Sequence, residues 1–181
     1  MSIGIVVNLL LRLSIFYFLA EVLLNPNDPR FAGKALPIRN LVVIGSLSLL
    51  FPFLHVWRRV WPRYPVWYDN LYLSIFWLDM AGNSFNLYET VRGFDLLAHF
   101  HGAGAITAVL AGAFRQSWLT ALGLATVIHV LLEAQENYTE ILFGTRNIKG
   151  MYDTINDLTA GLLGSGVYLV LRALGRRIAQ R

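Results

Sequence analysis

An all-α, polytopic membrane helical bundle of about six transmembrane helices is the fold class that three observations predict. Of 181 residues, 56% are hydrophobic and only 14% are charged, against roughly 25% charged in an average soluble domain. Mean hydropathy is +0.52, and a soluble domain of this size leaves about a third of its unfolded surface in water, so apolar side chains would coat that surface. The apolar residues also fall into runs long enough to cross about 30 Å of hydrocarbon at about 1.5 Å per residue. Zero cysteines exclude a disulfide framework, thiolate metal sites, iron–sulfur clusters and cysteine nucleophiles. The formal charge is +4, but the arginines are spread over loops and the C-terminal tail, so nucleic acid is not an expected partner.

The expected spans lie near 4–24, 41–57, 67–88, 95–114, 118–142 and 154–174, within a single integral membrane domain over 1–181. The first is a retained span and not a cleavable signal peptide, because it lacks a basic n-region and a small-residue cleavage site and carries Arg12 and Glu21. Turn chemistry from Asn25 to Pro29, and Pro62 with Pro65, separates the first three spans. The breaks around Arg92-Gly93 and Arg115-Gln116-Ser117 are short, which makes spans three to five antiparallel neighbours. With the N-terminus inside, cytoplasmic segments carry eight Lys and Arg residues against six on the other side, which favours both termini in the cytoplasm. Trp57, Trp61, Trp67 and Trp118 fall at span ends as interfacial anchors.

Ionisable groups at membrane depth cost at least about 2.5 kcal/mol each on insertion scales, so they normally face the bundle interior. Span three carries Asp79, Asn83 and Asn86 at i, i+4 and i+7, with Glu89 beyond. Span four opens with Asp95 and His99, span five carries His129, Glu133, Glu136 and Glu140, and span six opens with Asp153 and Asp157. Antiparallel connectivity brings all four stripes to one end of the bundle, with Asp157 and His99 about 5–8 Å deep and Asp79 and Glu133 about 13 Å deep. The loop from Phe143 to Tyr152 roofs them.

Carboxylates packed together need a cation or bound protons. A divalent metal ion is the expected cofactor: Zn, Mn, Fe or Mg for a mixed oxygen and imidazole set, or Ca if carboxylates alone coordinate. Asp95, His99, Asp153, Asp157 and Asp79 are the candidate ligands, since i, i+4 pairs bite one ion from a single helix face. Bland alternatives stand beside these. Asp153 with Thr154, and Asp95, also suit helix caps; Glu140, Glu89 and His101 suit interfacial or off-face positions; His129 suits a core histidine bonded to a neighbouring helix. Arg12 and Glu21 either pair with the polar layer or snorkel. Gly102, Gly104, Gly161, Gly164 and Gly166 permit close approach of spans four and six.

The stretch from Phe94 to Gly166 resembles a superfamily of small bacterial membrane proteins that includes the VanZ-like and YjdF-like families. The matching pieces are Phe94-Asp-Leu-Leu-Ala-His99-Phe, Leu132-Glu133-Ala-Gln-Glu136, Phe143-Gly-Thr145 and Tyr152-Asp-Thr-Ile-Asn-Asp157-Leu followed by Ala160-Gly161. Their order and spacing look more like the YjdF-like pattern, since Glu133-Ala-Gln-Glu136 stands where the VanZ pattern favours Asp-Glu-x-x-Gln. The resemblance implies a multi-pass protein of the bacterial inner membrane and a shared polar site of Asp95, His99, Glu133, Glu136, Asp153 and Asp157. It implies no settled activity.

The leading functional expectation is a metal-dependent hydrolase or transferase acting on a lipid or lipid-linked envelope substrate near the non-cytoplasmic face. Asp95, His99, Asp153 and Asp157 would hold the metal, Glu133 or Glu136 would be the general base, and Arg146 and Lys149 would hold an anionic group of the substrate. The alternatives are an ion- or proton-coupled transporter, which needs polar residues toward the other membrane face where spans four and six show few, and a non-catalytic subunit of a membrane complex. No Gly-rich phosphate loop or Gly-x-Ser-x-Gly elbow supports nucleotide or serine-nucleophile chemistry. No internal repeat supports an inverted-repeat transporter.

Overall fold

A computed structural model describes residues 2–32, 34, 39–145, 148, 150 and 152–179. All regular structure among them is helical. The long elements are α1 (Ile3–Leu24), α3 (Val66–Ser84), α5 (Phe94–Gly112), α6 (Trp118–Phe143) and α7 (Asp153–Ala179), with two short helices, α2 (Leu50–Val56) and α4 (Leu87–Thr90). Among the described residues, four helices are long and apolar enough to cross a membrane: Ile3–Leu24, Phe94–Gly112, Trp118–Phe143 and Asp153–Ile178. Their outer faces leave large apolar side chains such as Leu13 (65%), Leu131 (63%) and Leu163 (61%) exposed, a surface suited to acyl chains and not to water.

Two of the six expected spans differ. The run expected over 41–57 is broken into a π-helical turn (Asn40–Ile44), a short turn (Gly45–Leu47) and α2. Pro52 supplies the reason, because it has no N–H to return to the carbonyl of Ser48 and its ring crowds that carbonyl. The run expected over 67–88 stops at Ser84, and Asn86 adopts a left-handed conformation at φ 55°, which asparagine tolerates better than most residues. The expected single stripe from Asp79 to Glu89 is therefore interrupted, with Glu89 in a separate helical turn. The 19-residue α3 also carries Asp69, Asn70, Asp79 and Asn83 and is not among the four long apolar helices.

The chain divides into two compact units, Met1–Val91 and Arg92–Arg181. In the first, α1 and α3 run parallel and bury Ile15, Phe18, Leu73, Met80 and Ala81 with Ile44. Polar pairing is dense here. Arg12 donates to Asp69 Oδ2 at 2.6 Å, to Asn8 Oδ1 at 3.0 Å and to the Ser48 carbonyl at 2.6 Å, the same carbonyl that Pro52 leaves without an amide donor. Asn8 also donates to Asp69 Oδ2 at 2.6 Å and to Asn70 Oδ1 at 2.8 Å, Asn70 donates to the Gly4 carbonyl at 2.9 Å, and the Tyr64 hydroxyl donates to Asp69. Arg12 thus pairs inside its own unit. Asp69, fully buried, is a partner the sequence did not single out.

At the other end of α1, Asp28 accepts from the backbone and guanidinium of Arg30, which holds the Asp28 carboxyl down to about 2. Arg30 also donates to Glu21 Oε1 at 2.9 Å and to the Ser84 carbonyl at 2.5 Å, tying the ends of α1 and α3.

Removing one member of a buried ion pair costs about 3–5 kcal/mol because the other charge is stranded. Arg12→Met is expected to destabilise the purified protein by that amount, and Arg12→Met with Asp69→Leu is expected to recover a large part of it. Thermal melts in detergent check this; a double variant as unstable as the single one would remove the pairing as the cause.

Candidate metal centre

The second unit joins α5, α6 and α7, and each supplies an i, i+4 polar pair to one end: Asp95 and His99, His129 and Glu133, Asp153 and Asp157. Local signals set the helix ends that carry them. Gly93 at φ 80° precedes α5, Ser117 caps α6 by accepting from Thr120 N at 3.1 Å, and Gly144 at φ 62° ends α6. Glycine removes the steric penalty for positive φ, and a serine hydroxyl satisfies an otherwise free helix N–H.

Helices α5 and α7 run parallel in close approach, with α6 antiparallel to both, as the connectivity predicts. Two positions make that approach possible. A Cβ on Gly164 would collide with the Phe100 carbonyl, and one on Gly161 would collide with His129 Nδ1. Gly104 likewise sits against Tyr168, 2.5 Å from where its Cβ would be, whereas Gly166 faces open space, so the expected glycine seam holds at Gly104, Gly161 and Gly164 and not at Gly166.

Seated on that seam, the rings of His99 and His129 stack with centroids 5.0 Å apart, and His99 Nδ1 lies 2.9 Å from His129 Nε2. Glu133 Oε1 lies 3.4 Å from each of those nitrogens. Ligand bonds of roughly 2.0–2.2 Å separate neighbouring donors by about 3.0 Å in an octahedral shell and about 3.4 Å in a tetrahedral one. The triangle has the size of one face of such a shell, so these three residues have donor atoms close enough to hold one metal ion. A hydrogen bond between the two rings accounts for the 2.9 Å edge alone. It leaves Glu133 Oε1 buried with no hydrogen-bond partner, and an unsatisfied buried carboxylate oxygen is costly.

Asp95, Asp153 and Asp157 form a second group with donor atoms within 4.8 Å of one another. His99 lies between the groups: its Nε2 is 3.6 Å from Asp95 Oδ1 and 3.8 Å from Asp157 Oδ2. Asp157 Oδ1 is also buried without a hydrogen-bond partner.

Of the residues expected at the site, Asp95, His99, Glu133, Asp153 and Asp157 come together. Asp79 lies in the first unit, where its carboxylate accepts from Arg39 at 2.5 Å, Tyr88 at 3.1 Å and Asn83 at 3.3 Å. Glu136 is half-buried and belongs to neither donor group among the described residues. Glu140 accepts from the amide of Ile148 at 3.1 Å, in keeping with a bland role at the helix end. Arg146 and Lys149 fall outside the described residues. His129 is the buried histidine bonded to a neighbouring helix that the sequence leads one to expect, through His99 Nδ1, and it also stands in a donor group. The signal was its spacing, four residues before Glu133, the same interval that joins Asp95 to His99 and Asp153 to Asp157. Polar pairs also continue along α5 and α7 beyond the cluster: His101 Nδ1 to Tyr168 OH at 2.7 Å, Thr107 to Ser165 at 2.9 Å, and Arg172 to the Ala111 carbonyl at 2.5 Å. These pairs stand where spans four and six show few polar residues in the sequence.

The seam makes a graded stability prediction. Gly164→Ala must displace backbone and is expected to lower the melting temperature sharply, whereas Gly166→Ala meets nothing and is expected to be neutral or to stabilise by up to about 1 kcal/mol through helix propensity. Equal shifts in calorimetry of the two variants would contradict the close approach.

No family model, curated protein or solved structure matches this chain.

Proposed function

We propose that the protein is an integral membrane metalloprotein of the cell inner membrane, and that its second unit is the divalent-metal centre of a hydrolase or transferase acting on a lipid or lipid-linked envelope substrate. The observation that carries the metal assignment is the coordination-sized triangle of His99 Nδ1, His129 Nε2 and Glu133 Oε1, whose carboxylate oxygen has no other partner. Two imidazoles and one carboxylate are the protein ligands of several catalytic zinc sites, which keep a further position open. A bound ion would supply Lewis acidity and lower the pKa of a water. His99 and Glu133 would fix its place, and Glu136, one turn further along α6, would accept the proton as general base. Arg146 and Lys149 would meet an anionic group of the substrate. The topology belonging to this proposal has six spans, those expected near 41–57 and 67–88 counted beside the four long apolar helices, with both termini cytoplasmic and the cluster near the non-cytoplasmic surface. Membership of the VanZ-like and YjdF-like superfamily is part of the same proposal and is supported by the motifs from Phe94 to Gly161.

Metal analysis of the purified full chain tests the assignment. Wild type is expected to retain a divalent ion that His99→Ala and Glu133→Gln each lose while remaining folded; equal metal content in all three removes the metal centre.

The polar pairs at His101–Tyr168 and Thr107–Ser165 favour a second reading, a proton path between α5 and α7. Proteoliposomes carrying an internal pH dye would then show proton flux that Thr107→Val with His101→Phe reduces. Wild-type vesicles as tight as empty ones exclude it.

A further inference from the structure

We infer that the cluster holds two cations sorted by donor chemistry across one imidazole: a borderline transition metal at His99 Nδ1, His129 and Glu133, and a hard, oxygen-preferring cation at Asp95, Asp153 and Asp157. The inference rests on the metal-centre reading above and extends it. The first donor group is nitrogen-rich and joins α5 to α6; the second is oxygen-only and joins α5 to α7. Nitrogen-containing sets suit Zn2+ or Fe2+, and carboxylate sets suit Mg2+ or Mn2+.

The simpler alternative makes the aspartates mere supports that orient His99, as carboxylates commonly do for metal-bound histidines. That role needs a hydrogen bond from Nε2–H of roughly 2.7–3.2 Å. The observed separations are 3.6 Å to Asp95 and 3.8 Å to Asp157, too long for it. Asp157 is also left with a burden of its own: its side chain is only 4% exposed, and its Oδ1 has no hydrogen-bond partner. Each group therefore contains one buried carboxylate oxygen without a partner, Glu133 Oε1 in the first and Asp157 Oδ1 in the second. An ion in the first group cannot answer for the oxygen in the second, because His99 presents opposite ring nitrogens to the two groups.

The test uses the full chain in lipid nanodiscs, stripped with chelator and dialysed against Zn2+ alone, Mn2+ alone, or both, with bound metal counted by elemental analysis and Mn2+ followed by electron paramagnetic resonance. Wild type is expected to take up one equivalent of each ion together. His129→Gln is expected to weaken Zn2+ binding by at least about tenfold and leave Mn2+ in place, and Asp157→Asn is expected to do the reverse. If both substitutions abolish the same single equivalent, the two-ion inference falls and the single metal centre stands. If wild type binds neither ion, the metal centre falls as well. Should a variant fail to fold, anomalous scattering from wild type at the zinc and manganese edges decides instead: separate peaks on the two sides of His99 support the inference, and one peak overturns it.

Discussion

A carboxylate among apolar helices must be met by positive charge or by hydrogen-bond donors, and the two units of this chain meet that demand by different means. In the first, Asp69 is met by the Arg12 guanidinium, Asn8 and Tyr64, all on Oδ2, while its buried Oδ1 has no hydrogen-bond partner. In the second, Glu133 and Asp157 each keep a buried oxygen without a hydrogen-bond partner, and among the described residues the cationic groups that pair with them are the imidazoles of His99 and His129. The contrast lies in the charge that meets the acid: a guanidinium in the first unit, imidazoles in the second. A carboxylate closed by an arginine fixes the relation of two helices, whereas acids that face imidazoles and one another are arranged as a cation would need them.

What makes the arrangement in the second unit possible is the absence of side chains elsewhere. Gly161 gives His129 room to turn its Nδ1 edge toward α7, leaving Nε2 to face His99 and Glu133. Gly164 lets the backbone of α7 reach the Phe100 carbonyl, one residue beyond His99. In a soluble protein such a seam would be filled by bulky apolar residues; between membrane helices, small residues are what permit intimate contact.

The helical class, the four long apolar helices and the three i, i+4 pairs of the second unit were legible in the sequence, because period 3.6 projects Asp95 with His99, His129 with Glu133 and Asp153 with Asp157 directly onto single faces. The first unit was less so, for local reasons. Pro52 lies inside an apolar run whose composition reads as one span, and only backbone chemistry shows that the helix must break there. Asn86 ends α3 through a backbone conformation that hydropathy does not encode. Asp69 sits beside Asn70 near the start of α3, where an acid resembles an interfacial residue, and only its long-range contact with Arg12 reveals complete burial. Asp79 reads as one more acid on an inward stripe; Arg39, forty residues earlier, takes it.

The parallel pairing of α5 with α7 has a consequence for biogenesis. Helices that run in the same direction cannot be joined by a tight turn, so α6 must be laid down between them, and the Gly161–His129 and Gly164–Phe100 contacts wait for α7 to emerge. Contacts between residues far apart in the chain form late because loop closure must precede them. Until α7 docks, His99 and Glu133 lack one wall of their enclosure, so the polar pocket stays half-built for as long as only α5 and α6 are in place.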